Sequence, residues 1–264
     1  MLKYVKSIIS NFLDYFGYDL ICRKIVNDSD DPYNILQKVI NNDDVKVIVD
    51  AGASLGDTSV RFSSYFPYAT VYAFEPYPPF LEKLKEKSAE NKSIFVEPFA
   101  LGKGCTKSFL NVNHCEGTNS LFESNEDAFN IYGSLLSSKS KIEVEIKSLD
   151  MWSKEKGIGN IDILKLDLQG GEFDALEGAI QLFSSSNIKI VICEIMFNKC
   201  YNNKGKWTDI VNFLENYNLQ LFNIYQPFHH YGKIIQADLI FISKEVNYEE
   251  VTSECFHAYS KLLK

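Results

Sequence analysis

Val45-Lys46-Val47-Ile48-Val49, running into Asp50-Ala51-Gly52-Ala53-Ser54-Leu55-Gly56, is the stretch that decides the fold. The apolar run reads as a buried parallel strand. Thr58 to Tyr65 then reads as a helix. An acid closes the strand, small residues make the turn, and the helix begins just beyond. A ligand can therefore lie against bare backbone at a helix N-terminus. The next apparent strand, Thr70-Val71-Tyr72-Ala73-Phe74, ends in a second acid, Glu75, followed by Pro76. A carboxylate at the tip of strand two is placed to accept both hydroxyls of a ribose.

The spacing narrows the ligand. D-x-G-x-x-x-G is not the G-x-G-x-x-G with which dinucleotide enzymes approach a pyrophosphate. Asp50 would face any phosphate and suits a cation instead. S-adenosylmethionine carries a sulfonium, an ammonium and a ribose, and no phosphate. The expected cofactor contacts are Asp50, Gly52, Ala53, Ser54, Gly56, Thr58, Glu75 and Pro76. The plain alternative for the loop taken alone is an ordinary strand-to-helix turn.

Bulk properties bound the rest. The 264 residues suffice for one large core, and 45% hydrophobic with 23% charged residues is a globular composition. With 27 basic against 35 acidic residues, a net charge of −8 argues against a protein that tracks nucleic-acid phosphates. The six cysteines form no C-x-x-C pair, which removes zinc-ribbon and thioredoxin readings and makes the reducing cytoplasm the expected location. No stretch reaches the roughly 18 apolar residues of a membrane-spanning helix. Tyr4 to Phe16 is amphipathic and lacks the features of a signal peptide. It reads as a helix packed on the domain, with a homo-oligomer or membrane-surface contact as the alternative.

Strands and helices alternate along the chain. Asp31-Pro32 opens a helix to about Ile40. Strands follow at Val45–Asp50, Thr70–Glu75, Ile94–Glu97, Ile161–Asp167 and Ile188–Glu194, and a final pair at Leu219–Tyr225 and Asp238–Ser243. This pattern predicts an α/β fold, a Rossmann-like doubly wound and mostly parallel sheet with an antiparallel edge strand. Residues 1–44 form a helical extension, 45–245 the cofactor-binding domain, and 246–264 a C-terminal helix. Residues 102–149 interrupt the rhythm as an insertion between strands three and four, expected to cover the site or to touch substrate.

Open parallel sheets bind ligands beyond the carboxyl ends of their strands. Those ends carry Asp50, Glu75, Glu97, Asp167 and Glu194. Asp167 and Glu194 fall on neighbouring strands and must repel unless something intervenes. A divalent cation, Mg²⁺ or Mn²⁺, would satisfy both. Otherwise Asp167 caps a helix and Glu194 meets a lysine or a substrate hydroxyl. Lys165 interrupts an apolar strand, and the amides of Gly170-Gly171-Glu172 are available to a polar ligand. In a polar turn, Gln226 to Gly232, His230 is the candidate base for an alcohol, with an exposed loop histidine as the alternative and His114 as a rival.

The motifs together resemble a known family. Val47 to Thr58 is similar to the cofactor loop of the FkbM-type methyltransferases, Phe74-Glu75-Pro76 to their second motif and Phe99-Ala100-Leu101-Gly102 to their third. Ile161 to Ala179, IDILKLDLQGGEFDALEGA, resembles the family's D-x-x-K-x-D-x-E-G-x-E-x-x-x-L-x-G-A stretch. Gln169 departs from the pattern, which often has Glu there. The resemblance implies a methyltransferase sheet, Gly52 to Gly56 near the methionine part, Glu75 on the ribose, Ala100 and Leu101 near adenine, and Asp167 at the reaction centre. It also implies O-methylation, with the hydroxyl of a sugar or nucleotide-linked sugar as acceptor. The catalytic expectation is Asp167, Glu194 and His230. Competing readings are a nucleoside or nucleotide-sugar binding module without turnover, and an NAD-dependent oxidoreductase.

Overall fold

The computed structural model describes residues 31–202 and 205–246. The amphipathic N-terminal segment and the expected C-terminal helix lie outside them. Asp31 caps the first described helix, α1 (Pro32–Val39), accepting from the amides of Tyr33 and Asn34, and Pro32 starts it. The central sheet is then laid down as β1 (Val47–Ala51), β2 (Thr70–Phe74) and β3 (Ile94–Glu97), with α2 (Asp57–Tyr65) and α3 (Pro78–Glu90) between them. It continues with β7 (Ile161–Leu166), β8 (Ile188–Met196), β9 (Leu219–His230) and β10 (Lys233–Ser243). The seven strands are ordered β3-β2-β1-β7-β8-β10-β9.

The order reverses between β1 and β7, which places a crevice at their carboxyl ends. β10 runs antiparallel to β8, and β9 antiparallel to β10. The antiparallel strand is therefore one position in from the edge, because β9 and β10 form a hairpin that adds to the sheet through its second arm. That hairpin is longer than its apolar pattern indicates: pairing runs out to His230 and Lys233, leaving only Tyr231 and Gly232 at the tip.

Two cores flank the sheet. On one face Ile48, Ile163, Ile192 and Ile240 meet Leu36 of α1, Phe62 of α2 and Leu84 of α3. On the other, Val49, Leu164, Val191 and Phe241 meet Trp152 of α5 (Leu149–Lys156), and Ile210 and Leu214 of α8 (Trp207–Asn216). Alternate residues of each strand serve alternate faces. The segment after β3 builds a second, three-stranded sheet, β4 (Ala100–Leu101), β5 (Thr106–Asn113) and β6 (Ser138–Lys147), ordered β4-β6-β5. A short helix, α4 (Glu126–Tyr132), lies between β5 and β6. After β7 come α6 (Glu172–Glu177) and α7 (Ile180–Ser184).

Candidate functional site

Gly52 sets the first wall of the crevice. Its φ is +75°, and a Cβ there would sit 1.9 Å from the carbonyl oxygen of Asp167. Only glycine lets the loop after β1 approach the end of β7 this closely. The amides of Gly52 and Ala53 both donate to the Phe74 carbonyl, at 3.1 and 3.0 Å, tying the loop to β2. Gly56, at φ +84°, begins α2, and a Cβ there would press on Leu84 of α3 at 2.6 Å.

A cleft enclosing about 690 Å³ of empty space, its open mouth included, is lined by Gly52, Ser54, Glu75, Pro76, Ala100, Leu101 and Asp167. Phe74, Phe80, Phe99 and Leu168 add apolar wall, and Leu110, Glu116, Asn119 and Leu121 come from the stretch between β4 and β6. The Glu75 carboxylate accepts from the amides of Ser54 (2.9 Å) and Tyr77 (2.8 Å). Burial pushes this carboxyl up to about 7, against the pull of those two amides and of Lys165. Two amides leave it lone pairs for ribose hydroxyls.

Asp50, Ala53, Gly56 and Thr58 do not line the cleft. Asp50 is fully buried beneath the loop, accepting from Ser59 Oγ at 2.6 Å and ion-paired with Lys165 at 3.3 Å. The expectation that it faces a ligand cation is corrected: Lys165 already supplies the cation. Ala53 is buried in the α1–α3 core, and Gly56 serves helix packing. Thr58 sits in the first turn of α2.

Lys165 is the hub that sequence reasoning left without a role. Its Nζ lies 3.0 Å from the Gly52 carbonyl, 3.4 Å from that of Ala51, 3.3 Å from Asp50 and 3.5 Å from Asp167. Burial alone would lower its ammonium; the Asp50 and Asp167 carboxylates reverse this and hold it above the ordinary lysine value. A lone lysine in an otherwise apolar strand was the available signal.

Next to it the sheet carries a row of acids. Asp238 pairs with Glu194 across β10 and β8, and Asp167 follows Leu166, which pairs with Cys193. The Asp167 side chain is 36% exposed and faces the cleft. Burial, then the Asp167 carboxylate, drive Glu194 well above the usual carboxylate range. Burial and Asp167 push Asp238 up to about 6, against Lys165.

A side-chain amide bridges Asp167 and Glu194. Gln169 Nε2 donates to Asp167 Oδ1 at 3.0 Å and to Glu194 Oε2 at 2.7 Å. With Lys165 on the other side of Asp167 and Gln236 Nε2 on Glu194 Oε1 at 3.1 Å, donors occupy the positions a cation would take. Among the described residues no group of three or more His, Cys, Asp or Glu is spaced to hold a metal. The donor set does not fit Mg²⁺ or Mn²⁺.

His230 is not brought to this row. It pairs with Lys233, five residues along β10 from Asp238, roughly 17 Å at strand spacing. The hairpin does extend past the same sheet edge, but its tip overshoots. His114 is further removed in role, its Nδ1 2.9 Å from the Ser137 carbonyl in the β5–β6 region. Of the amides expected to be available, that of Gly170 is held by Glu172 Oε1 at 3.1 Å, and the same oxygen accepts from the Leu168 amide at 2.8 Å. Tyr201 and Tyr225 are buried, while Phe228 and Tyr231, toward the hairpin tip, are exposed.

A mostly parallel seven-stranded sheet of this order, with a cleft at its reversal point, is a Rossmann-like architecture. The chain belongs to the FkbM methyltransferase domain family, whose model matches residues 50–221. It is 28% identical over 157 residues to "Methyltransferase sdnD" of Sordaria araneosa, covering 50% of this chain and 59% of that protein. It is 23% identical over 185 residues to the 2-O-methyltransferase NoeI of Sinorhizobium fredii, covering 66% of this chain and 72% of that protein. A solved FkbM methyltransferase from Methylobacillus flagellatus KT superposes with a TM-score of 0.49 at 15% identity, over 80% of this chain and 48% of the other. The chain thus spans less than two thirds of the length of some of these relatives. No described helix is long and apolar enough to cross a membrane.

Proposed function

We propose that this methyltransferase moves the methyl group of S-adenosylmethionine to a hydroxyl oxygen of a sugar or nucleotide-linked sugar. The observation that carries the proposal is a single cleft with Glu75 in one wall and Asp167 in another. Glu75 accepts the ribose hydroxyls, the backbone at Gly52 and Ser54 lies along the methionine part, and Ala100, Leu101 and Phe99 flank the adenine. Nothing in that set offers a pyrophosphate its donors, which disfavours a nicotinamide cofactor. The name of the relative NoeI, a 2-O-methyltransferase, supports oxygen as the methylated atom.

Methyl transfer is an in-line displacement: the carbon–sulfur bond breaks with its electron pair left on sulfur, and the acceptor oxygen forms the new carbon–oxygen bond. The sulfonium is already a strong electrophile, so the protein's work is alignment and exclusion of water. A sugar alcohol is a weak nucleophile at neutral pH, and its proton must go somewhere as the bond forms. Asp167, exposed to the cleft, takes that proton, while Glu194 supports it. No step runs through a metal.

Incubation with S-adenosylmethionine and a panel of nucleotide sugars and free glycosides, read as S-adenosylhomocysteine release, tests this. Turnover with at least one acceptor is expected, reduced about 100-fold or more in Asp167→Asn and insensitive to chelator. Cofactor binding without product release from any acceptor would replace the proposal with a binding role. Full turnover in Asp167→Asn would remove Asp167 from it.

A further inference from the structure

Two side-chain amides converge on Glu194. Gln169 Nε2 reaches one of its oxygens and Gln236 Nε2 the other. Each amide has its own carbonyl oxygen held by a tyrosine: the Tyr201 hydroxyl donates to Gln169 Oε1 at 3.2 Å, and the Tyr132 hydroxyl to Gln236 Oε1 at 2.6 Å. Burial raises both phenols, so both stay protonated and act as donors. The tyrosines therefore orient the amides with their N–H groups toward the acids.

Gln169 is held more firmly than its partner. Its backbone sits in the left-handed region at φ +51°, unusual for a residue with a side chain. Its carbonyl accepts from Ser120 Oγ at 2.7 Å. Ser120 lies between β5 and β6 and Tyr201 follows β8, so two segments outside the parallel core clamp this one residue. An uncommon backbone conformation at a cleft wall, fixed by contacts from elsewhere, marks a position where geometry is retained at an energetic cost.

We propose that Gln169 is the positioning residue of methyl transfer, its one amide group yoking Asp167 and Glu194 so that Asp167 is presented to the cleft as the proton acceptor. The inference rests on the reading of Asp167 as that acceptor. The charges facing the pair make the two acids unequal. Lys165 stands beside Asp167. Glu194 meets the carboxylates of Asp167, Glu172 and Asp238, and otherwise neutral Gln169, Gln236, Tyr132 and Tyr201. Burial and these carboxylates favour the proton-bearing form of Glu194, which leaves Asp167 as the acid open to the cleft. During transfer the alcohol proton passes to Asp167 and leaves to solvent, while Gln169 remains unchanged.

Three variants test the yoke. Gln169→Leu keeps bulk and removes the donor, Gln169→Glu replaces the donor with an acceptor, and Tyr201→Phe frees the amide while retaining the ring. The first readout is a ¹³C-carboxyl NMR titration, with the Glu194 signal assigned by Glu194→Gln. Losing the donor should move Glu194 upward by about one pH unit in Gln169→Leu, further in Gln169→Glu, and in the same direction but less in Tyr201→Phe. The second is turnover: kcat should fall roughly tenfold or more, with the acidic limb of its pH profile moving upward and a smaller change in KM for the cofactor. An unmoved Glu194 titration in folded Gln169→Leu and Tyr201→Phe overturns the proposal, and Tyr201→Phe decides alone should the other variants fail to fold. Shifted titration in a protein that methylates no hydroxyl would instead count against the functional reading.

Discussion

Replacing Lys165 with methionine removes a cation that faces two acids and two carbonyls. Lys165 Nζ stands 3.3 Å from Asp50 Oδ1, and Asp50 is wholly buried. At an effective dielectric of about 20 that pair attracts by roughly 5 kcal/mol before desolvation is counted. Asp167, 3.5 Å away and one third exposed, adds less because water screens it. Methionine fills the same space, so little is lost in packing; the loss is electrostatic and falls on Asp50. Stranding one partner of a buried pair costs about 3–5 kcal/mol, a large share of the roughly 5–15 kcal/mol that holds a typical domain together. Asp50→Asn alone costs less, because Lys165 keeps Asp167 and the carbonyls. The double variant should be about 1–3 kcal/mol more stable than Lys165→Met. Since Lys165 is held above the ordinary lysine value, its contribution is fully present below about pH 10 and lost only as pH rises through the raised value. Urea unfolding of all four proteins between pH 7 and 10 measures this. A Lys165→Met deficit under about 1 kcal/mol, or strict additivity in the double variant, would show that the lysine is not neutralising Asp50.

Gly52→Ala forces a Cβ to 1.9 Å from the Asp167 carbonyl at a positive φ, so a loss of about 2–4 kcal/mol is expected in thermal melts together with weakened cofactor binding. Unchanged affinity by calorimetry would detach the loop from the cofactor. Burial raises Glu75 to about 7, and ribose hydroxyls favour the ionised carboxylate, so cofactor affinity should fall nearly tenfold per pH unit below 7. Calorimetry returning one Kd from about pH 5.5 to 8.5 would contradict that role. Asp238→Asn should stabilise the protein by roughly 1–3 kcal/mol at pH 8, since burial raises Asp238 to about 6 and charging it opposes folding above its ordinary value. That gain should vanish as pH falls toward 4, and a gain constant across this range in denaturant melts would point to another cause.

Much of the site was legible in residue order. Acids and glycines at the ends of apolar runs located the crevice, and Gly52, Ser54, Glu75, Pro76, Ala100, Leu101 and Asp167 do line one cleft. Linear reading went astray where a residue's partner comes from a distant segment. Asp50 was assigned to the ligand because its position beside the loop was visible but the pairing of β1 with β7 that delivers Lys165 was not. Glu172 lies at a helix start in the sequence, but the turn that brings its carboxylate onto the amides of Leu168 and Gly170 is visible only in the structure. Gln226 to Gly232 reads as a polar turn carrying His230, because a polar segment does not reveal that hairpin pairing persists to its last two residues.

What sequence alone determined is the frame. Alternating apolar runs dictate a parallel sheet, and the chain order of small and acidic residues dictates which end of it carries the cleft, because strand period, turn sterics and helix starts are all local properties. What only the tertiary structure decided is the state of the charges. Whether Asp167 and Glu194 would call for a metal, a proton or an amide depends on which side chain fills the few ångströms between them, and that is Gln169, turned into place by Tyr201 and Ser120. Electrostatics follows distance through space and burial, and neither can be read along the chain.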